Sequence, residues 1–506
     1  MARKKQIKRM KEALPECVLN TIPKEKQNDR EFLFDVLMYR RENMKSGRAE
    51  RKRLTTKFNK EHKTYNVKVL LRWNKINGKT QLTDKDKRNL RKDKNLIIEL
   101  MKVIHSKFPK LITLFTEIAD KRNPNKVKYS MKTIVLVRLL ALVCGIVSMN
   151  EINEKFNKEE IIENIRTITG EDVNSIPNWQ TIQDVLEDMN IEDLLDIKNY
   201  MVDRILESKM FNKFRYNGLV QVLVDATGIS CSKYNLNGNC ISKKHKKSDT
   251  TYHKYVLEAK IVFGNIVISI DSEWIENGNL NNETGKQDCE IKAFKRMADR
   301  IKKNYPRLPI LITGDALYAN KTVIQICEGK NWKYICNLKT TRLKRISNSF
   351  KKGNNETDIP DYKIVSNIEY EGHTLTALSY TEKNKKDTRT FRYITNLDVN
   401  SSNVSKVVEL GRSRWKIENE GFNMQKNGQY KISHLCSRND NAMKIHYQFI
   451  QIAHILRQLL ELGSIEVKKM CLQTKREITS LLLDSLKQII SNLQLSIQKI
   501  QLRFDM

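Results

Sequence analysis

The sequence predicts a mixed α/β protein with helical regions at both ends. Three observations carry this. From residue 219 onward the chain breaks into short runs rich in Val, Ile and aromatic residues, the texture of strands. Helical stretches interrupt those runs and give the order β-β-β-α-β-α-β, a mixed α/β sheet. Up to residue 212, and again after residue 394, apolar residues recur at three-to-four spacing, the period of helices.

In order along the chain, EFLFDVLMYRREN (31–43) and KNLIIELMKVIHSKF (94–108) read as charged helices, and Asn123-Pro124-Asn125 as a break. TIVLVRLLALVCGIV (133–147) is the longest apolar run. It is shorter than the ~20 residues of a membrane span and holds Arg138 at its centre, so it reads as a buried helix whose arginine reaches an edge or a phosphate. Pro177, followed by Thr181 and periodic apolar positions, marks a helix start; a helix-turn-helix and a plain three-helix packing both fit there. LVQVLVDATG (219–228) reads as a strand ending at Asp225. KYVLEAKIVF (254–263) and NIVISID (265–271) read as a hairpin turning at Gly264-Asn265. CEIKAFKRMADRIKKNY (289–305) is an amphipathic helix, PILITGDALYAN (309–320) a strand ending at Asp315, and WKYICNLK (332–339) another strand. Strand-like runs at 362–372, 374–383 and 388–397 form a β insertion. NAMKIHYQFIQIAHILRQLLELG (441–463) is a long amphipathic helix, and the tail carries an apolar stripe for core or partner. The expected divisions are a basic helical DNA-binding region at 1–130, a helical domain at 131–212, a catalytic core at 213–339 and 394–460 around the insertion at 340–393, and a helical tail at 461–506.

Composition narrows the function. The 506 residues carry 92 Lys and Arg against 59 Asp and Glu, a formal charge of +33. The excess is uneven: residues 1–130 hold 36 basic and 15 acidic side chains. A strongly basic front on a nearly balanced body points to a polyanion, with nucleic acid preferred over a merely lysine-rich surface. Nine cysteines with no CxxC pair argue against a secreted disulfide scaffold and for reduced thiols. No signal-peptide pattern follows the basic first residues, so no membrane role and a cytoplasmic location are expected.

Asp225 and Asp315 each follow an apolar run and precede small residues. Strand ends of this kind form ligand crevices in α/β sheets. A carboxylate there either caps the next turn or meets a cation. Two of them in a basic protein favour a hard divalent cation that also takes phosphate oxygens. In RSRWKIENEGFNMQK (412–426), Glu418 shares a helical face with Arg414 and Phe422, while Trp415 and Ile417 are expected to anchor the helix in the core. Glu420 pairs with Lys416 and suits a more exposed position.

The ordered set Asp225, Asp315, Glu418, with the wording VDATG, TGDALYAN, YITNL and RWKIENEGFN around it, resembles the DDE transposases of bacterial insertion sequences. The resemblance implies an RNase H-like catalytic domain with a β insertion, as in a branch bearing a Tyr, Arg, Glu, Lys signature. Arg414 and Glu418 fit that signature. Its Tyr position is Gly411, and its Lys position is Gln425 with Lys426 one residue late. The resemblance further implies that Asp225, Asp315 and Glu418 hold Mg2+ or Mn2+, two ions, for cleavage and strand transfer on double-stranded DNA with terminal inverted repeats and on target DNA. It also implies a homodimer or larger synaptic complex associated with the nucleoid. Expected DNA contacts are Arg414, Lys426, Arg51, Lys52, Arg53, Lys244 and Lys246. Two rivals stand beside this reading: a catalytically dead DNA-binding derivative, because the signature is incomplete, and an RNase H-like nuclease without strand transfer.

Other candidates carry less. Asp271 and Glu273 could rival the third carboxylate, with a satisfied sheet-edge role preferred. Cys231, Cys240, His245 and His253 have poor spacing for zinc. The basic residues Arg342, Lys344, Arg345, Lys351 and Lys352 could track DNA backbone. Trp332 could stack on a base, with core packing preferred, and His434 could approach a phosphate.

Overall fold

The computed structural model describes residues 94–504 apart from 236–237, 246–248, 278–286, 340–345, 347–349, 351–358, 385–386, 434–435, 471–473 and 497–499, together with scattered positions before residue 94. Arg51, Lys52, Arg53, Lys246, Arg342, Lys344, Arg345, Lys351, Lys352 and His434 lie outside the described residues.

From residue 94 the chain forms helices α1 (Leu96–Lys107), α2 (Leu111–Glu117), α3 (Met131–Val143), α4 (Met149–Phe156), α5 (Glu159–Thr169), α6 (Trp179–Asp188) and α7 (Ile191–Glu207). Asparagine and serine side chains start several of them. Asn95 accepts from the Ile97 and Ile98 amides, Ser130 from Thr133, and Asn178 from Gln180. Helix α3 is apolar almost all round and correspondingly buried. Its Arg138 reaches neither an edge nor a phosphate. It is fully enclosed and donates to the Val147 carbonyl at 3.2 Å and to His446 Nδ1 at 2.8 Å.

Nine strands among the described residues form one sheet: β1 (Val220–Ser232), β2 (Ile241–Lys243), β3 (Thr251–Phe263), β4 (Ile266–Ile275), β5 (Ile310–Gly314), β6 (Lys333–Asn337), β7 (Tyr362–Tyr370), β8 (His373–Asn384) and β9 (Asp387–Thr395). The order is β2-β3-β1-β5-β6-β9-β8-β7, with β4 also paired to β3. Strands β1, β3 and β4 are antiparallel neighbours. Strands β5 and β6 run parallel to β1 and are reached through helices α8 (Glu290–Asn304) and α9 (Lys321–Gly329). This is the RNase H-like arrangement. The hairpin between β3 and β4 turns at Gly264, whose φ of +60° suits glycine. The insertion is no separate sheet: β9 pairs antiparallel with β6, so its three strands extend the main sheet. Two strands outrun their expected ends. Strand β1 continues past Asp225 to Ser232, and β4 continues past Asp271 to Ile275.

Helix α10 (Val404–Arg412), a π-helical turn at Ile417–Asn423, and helix α11 (Asp440–Gln458) follow. Helix α11 is enclosed nearly everywhere, not amphipathic toward water. Its polar stripe turns inward. The Gln458 amide accepts from the Val267 N–H and donates to the Val267 carbonyl, both at 2.8 Å, as a neighbouring strand would. Gln451 accepts from Lys260 Nζ at 2.9 Å. Helices α12 (Ile465–Lys469), α13 (Lys475–Leu486) and α14 (Asn492–Ser496) complete the described chain. A Thr474–Glu477 capping box starts α13. Most of the tail's stripe goes to the core, while Ile489 and Leu493 stay exposed. Leu482, Leu486 and Ile490 are buried, and Ser485 receives bonds from the Asn95 amide and the Leu96 N–H.

Candidate active site

The site begins with a register. Strands β1 and β5 run parallel with Val220 opposite Ile310 and Leu223 opposite Thr313, an offset of 90 residues. Asp225 and Asp315 differ by the same 90. Each stands two residues beyond the last register pair, so the two sit level on adjacent strands. Alternation along a strand puts residues two apart on one face. Gln221, two and four residues back from Leu223 and Asp225, marks that face: its amide donates to Thr313 Oγ1 at 2.9 Å and to the Leu410 carbonyl of α10 at 2.8 Å.

Arg414 joins the helix to this face. Its Nη1 donates to Asp225 Oδ2 at 3.3 Å and to Glu418 Oε1 at 2.7 Å. Burial pushes the Asp225 carboxyl up to about 7. Arg414 opposes the shift, while the charges of Glu290, Glu418 and Asp315 add to it. The structure therefore brings Asp225, Asp315, Glu418 and Arg414 together. Asp315 also caps its own turn, accepting from the Leu317 N–H at 2.7 Å. Glu290, at the start of α8, is a fourth carboxylate that the sequence did not reveal. Burial and Asp315 raise its pKa, and it accepts a 2.7 Å bond from the Tyr318 hydroxyl. Gly314 admits that tyrosine, for a Cβ there would stand 2.7 Å from the ring.

The helix carrying Glu418 differs from expectation in three ways. Trp415 is 57% exposed and anchors nothing in the core; Ile417 and Phe422 do, against Leu223 and Val267. Glu420 is less exposed than Glu418, with one carboxylate oxygen enclosed and unpaired, and it lines a different cavity beside His454 and Gln458. Lys416 donates to the Gly264 carbonyl at 2.5 Å. Finally, the π turn between Glu418 and Lys426 takes up roughly one residue more than an α turn. Gln425 consequently faces inward, donating to Gln451 and His454, while half-buried Lys426 feels the Asp225 charge. Gly421 lets this turn close over Lys260, whose Cδ and Cε would lie 3.3 Å from a Cβ at 421.

Gly411 has a similar cause. A Cβ there would stand 2.5 Å from the ring of Tyr393 on β9, which fills the space where a side chain of residue 411 would begin. A glycine inside a helix costs about 1 kcal/mol and so signals a close approach, although the sequence does not say to what.

The remaining candidates lie elsewhere. Asp271 and Glu273 are buried and paired with Arg300 and Arg296 of α8, a clamp between helix and sheet. Cys231 Sγ is 3.9 Å from His253 Nε2, but Cys240 is buried, and His245 and His253 both meet Thr251 Oγ1. Trp332 packs in the core at 1% exposure. Lys244 is exposed after β2.

Among the described residues no three His, Cys, Asp or Glu side chains converge closely enough to form a ready metal cage. The donor chemistry nevertheless fits a hard divalent cation: carboxylate oxygens only, with one carboxyl lifted by burial and then by its acidic neighbours, and a guanidinium between two of them. No described helix is long and apolar enough to cross a membrane.

A family model described as Transposase DDE domain matches residues 280–456, which include Asp315, Arg414, Glu418 and Lys426. A second, described as DDE_Tnp_1-associated, matches residues 112–198. No curated protein matches the chain. The two family matches together span just over half of the sequence, and with the RNase H-like sheet beneath the acidic site they show that the chain belongs to the DDE-type transposases.

Proposed function

We propose that this transposase cuts double-stranded DNA at the terminal inverted repeats of an insertion sequence and joins the ends to target DNA, with Asp225, Asp315 and Glu418 holding two Mg2+ or Mn2+ ions. The observation that carries this reading is the shared offset of 90 residues, which sets two aspartates level on adjacent parallel strands under Glu418. When bound, such ions activate an attacking hydroxyl and relieve charge on the phosphoryl and leaving oxygens.

The chain's own residues prepare that event. Arg414 holds the Asp225 and Glu418 carboxylates toward one point. The neutral Tyr318 hydroxyl fixes Glu290 beside them. Arg414, Lys426, Lys244, Lys246 and the basic residues Arg51, Lys52 and Arg53 contact DNA phosphates. The active form is a homodimer or larger synaptic complex on the nucleoid.

The test is cleavage by the full-length protein of linear DNA carrying the sequences that flank its gene. Cleavage is expected in Mg2+ or Mn2+ and not in EDTA. Asp225→Asn and Asp315→Asn are expected to lower the rate roughly a thousandfold or more while DNA binding persists. Full activity in EDTA, or near-normal rates in either variant, would overturn the assignment.

A further inference from the structure

Glu290 is the first residue of α8 and is half-buried. One of its carboxylate oxygens, Oε1, accepts from the Tyr318 hydroxyl at 2.7 Å. Tyr318 is fully enclosed, and its ring meets Phe294 edge-on, with centroids 5.4 Å apart and planes at 85°. Phe294 stands four residues after Glu290, on the same face of α8. The tyrosine belongs to the turn that begins at Asp315. Its N–H donates to the Asp315 carbonyl at 3.1 Å, and Gly314 leaves the room its ring needs. One side chain thus ties the start of α8 to the strand end that carries the second aspartate.

No lysine or arginine among the described residues pairs with this carboxylate, and its Oε2 accepts no hydrogen bond from them. Carboxylates buried elsewhere, such as Glu258, Asp271, Glu273, Asp288 and Glu461, each meet a lysine or arginine. A tyrosine hydroxyl is neutral and leaves the charge uncompensated. A first-turn glutamate gains from the helix N-terminus. That gain needs neither an enclosed tyrosine nor a glycine to admit it. Burial raises the Glu290 carboxyl against the Tyr318 bond, and the Asp315 charge adds to the rise. Among the acidic neighbours that raise Asp225, Glu290 acts ahead of Glu418 and Asp315. Glu290 therefore stands beside both aspartates.

We propose that Glu290 is a fourth carboxylate ligand of the metal site, its Oε2 taking a divalent ion together with Asp225 and Asp315, and that Tyr318 positions it. The proposal rests on the metal site of the transposase reading above and adds a ligand to it. A carboxylate fixed through one oxygen offers the other in a set direction, as hydrogen-bonded partners do for the ligands of metal sites. A further negative charge also tightens the hold on a hard cation. Gly314 gains a part in this, since a side chain there would displace the tyrosine.

The test titrates Mn2+ into the full-length protein bound to end-bearing duplex and follows free Mn2+ by electron paramagnetic resonance, with the ions carried by DNA alone subtracted. Melting temperature in EDTA is the second readout. Tyr318→Phe keeps the ring against Phe294 and loses only the hydroxyl. It is expected to weaken Mn2+ binding roughly tenfold, the lower end for loss of such a partner. Glu290→Gln should weaken it further, because the charge itself is lost. In EDTA, Glu290→Gln should melt at or above the wild-type temperature, since a charge no longer has to be buried. Asp225→Asn is the reference. Loss of Mn2+ in Asp225→Asn with wild-type affinity in Glu290→Gln would overturn the proposal and leave the three-carboxylate site standing. A lowered melting temperature in Glu290→Gln with unchanged Mn2+ affinity would make Glu290 a structural residue and overturn it as well. Wild-type affinity in both Asp225→Asn and Glu290→Gln would sink the metal site itself, and the proposal with it.

Discussion

Burial and three neighbouring carboxylates hold the Asp225 carboxyl protonated up to about pH 7, against an ordinary 3.8. A carboxyl raised by folding contributes stability below its unfolded pKa and loses it as pH rises through the folded value. The loss falls here between about pH 4 and 7. In EDTA, Asp225→Asn removes the charge that must be buried, so calorimetry should show a larger rise in melting temperature at pH 8 than at pH 5. Equal gains at both pH values would mean that Asp225 is not protonated by its surroundings. Asp225, Asp315, Glu418 and Arg414 were legible in the sequence because each stands in a short local pattern. Glu290 was not: it comes beside Asp225 and Asp315 through the packing of α8, and nothing near it in sequence hints at that. Gly411 was legible only as a glycine where a helix should avoid one, not as the place where the Tyr393 ring packs.

At the scale of elements, the π turn that carries Glu418 stands on a buried ion pair. Lys260 Nζ lies 3.1 Å from Glu258, with both side chains fully enclosed. Tyr447 and Ser272 donate to Glu258 as well, at 2.5 and 2.6 Å. The Lys260 stem runs beneath Gly421 and its ammonium lies 5.8 Å from the Phe422 ring centroid. Breaking such a pair on one side leaves an uncompensated charge, and Lys260→Met is expected to cost about 3 kcal/mol in urea unfolding. Adding Glu258→Gln should restore part of it. An unchanged unfolding curve would show that the pair does not support the fold. Strand and helix periods revealed most elements, but period alone misjudged α11. Its Gln448, Gln451, His454 and Gln458 stripe looks solvent-facing, yet it meets polar groups of the sheet. Strand ends were misread for a related reason. The small residues after Asp225 resemble a turn, while pairing with β3 carries β1 onward to Ser232. The π turn had no sequence signal beyond the late Lys426.

Over the whole molecule, the helices after residue 94 and the tail close on each other, and α11 sits between α3, α6, α7 and the sheet. The face that bears Asp225, opposite Glu258 in the register, is the one on which α11, α10 and the turn carrying Glu418 pack, while α8 is clamped to β4 through Arg296 and Arg300. The mixed sheet and its inserted strands were legible from the order of runs. That the insertion would join the main sheet was not, because edge pairing between β6 and β9 depends on geometry distant in sequence. The central claim is that Asp225, Asp315 and Glu418 form one metal site. It is tested most directly by counting Mn2+ bound to the full-length protein by electron paramagnetic resonance, with duplex DNA present and the ions carried by DNA alone subtracted. Asp225→Asn, Asp315→Asn and Glu418→Gln should each lose bound Mn2+, and Glu420→Gln should keep the wild-type count. Wild-type counts in the first three variants, or loss in Glu420→Gln with retention in Glu418→Gln, would contradict it.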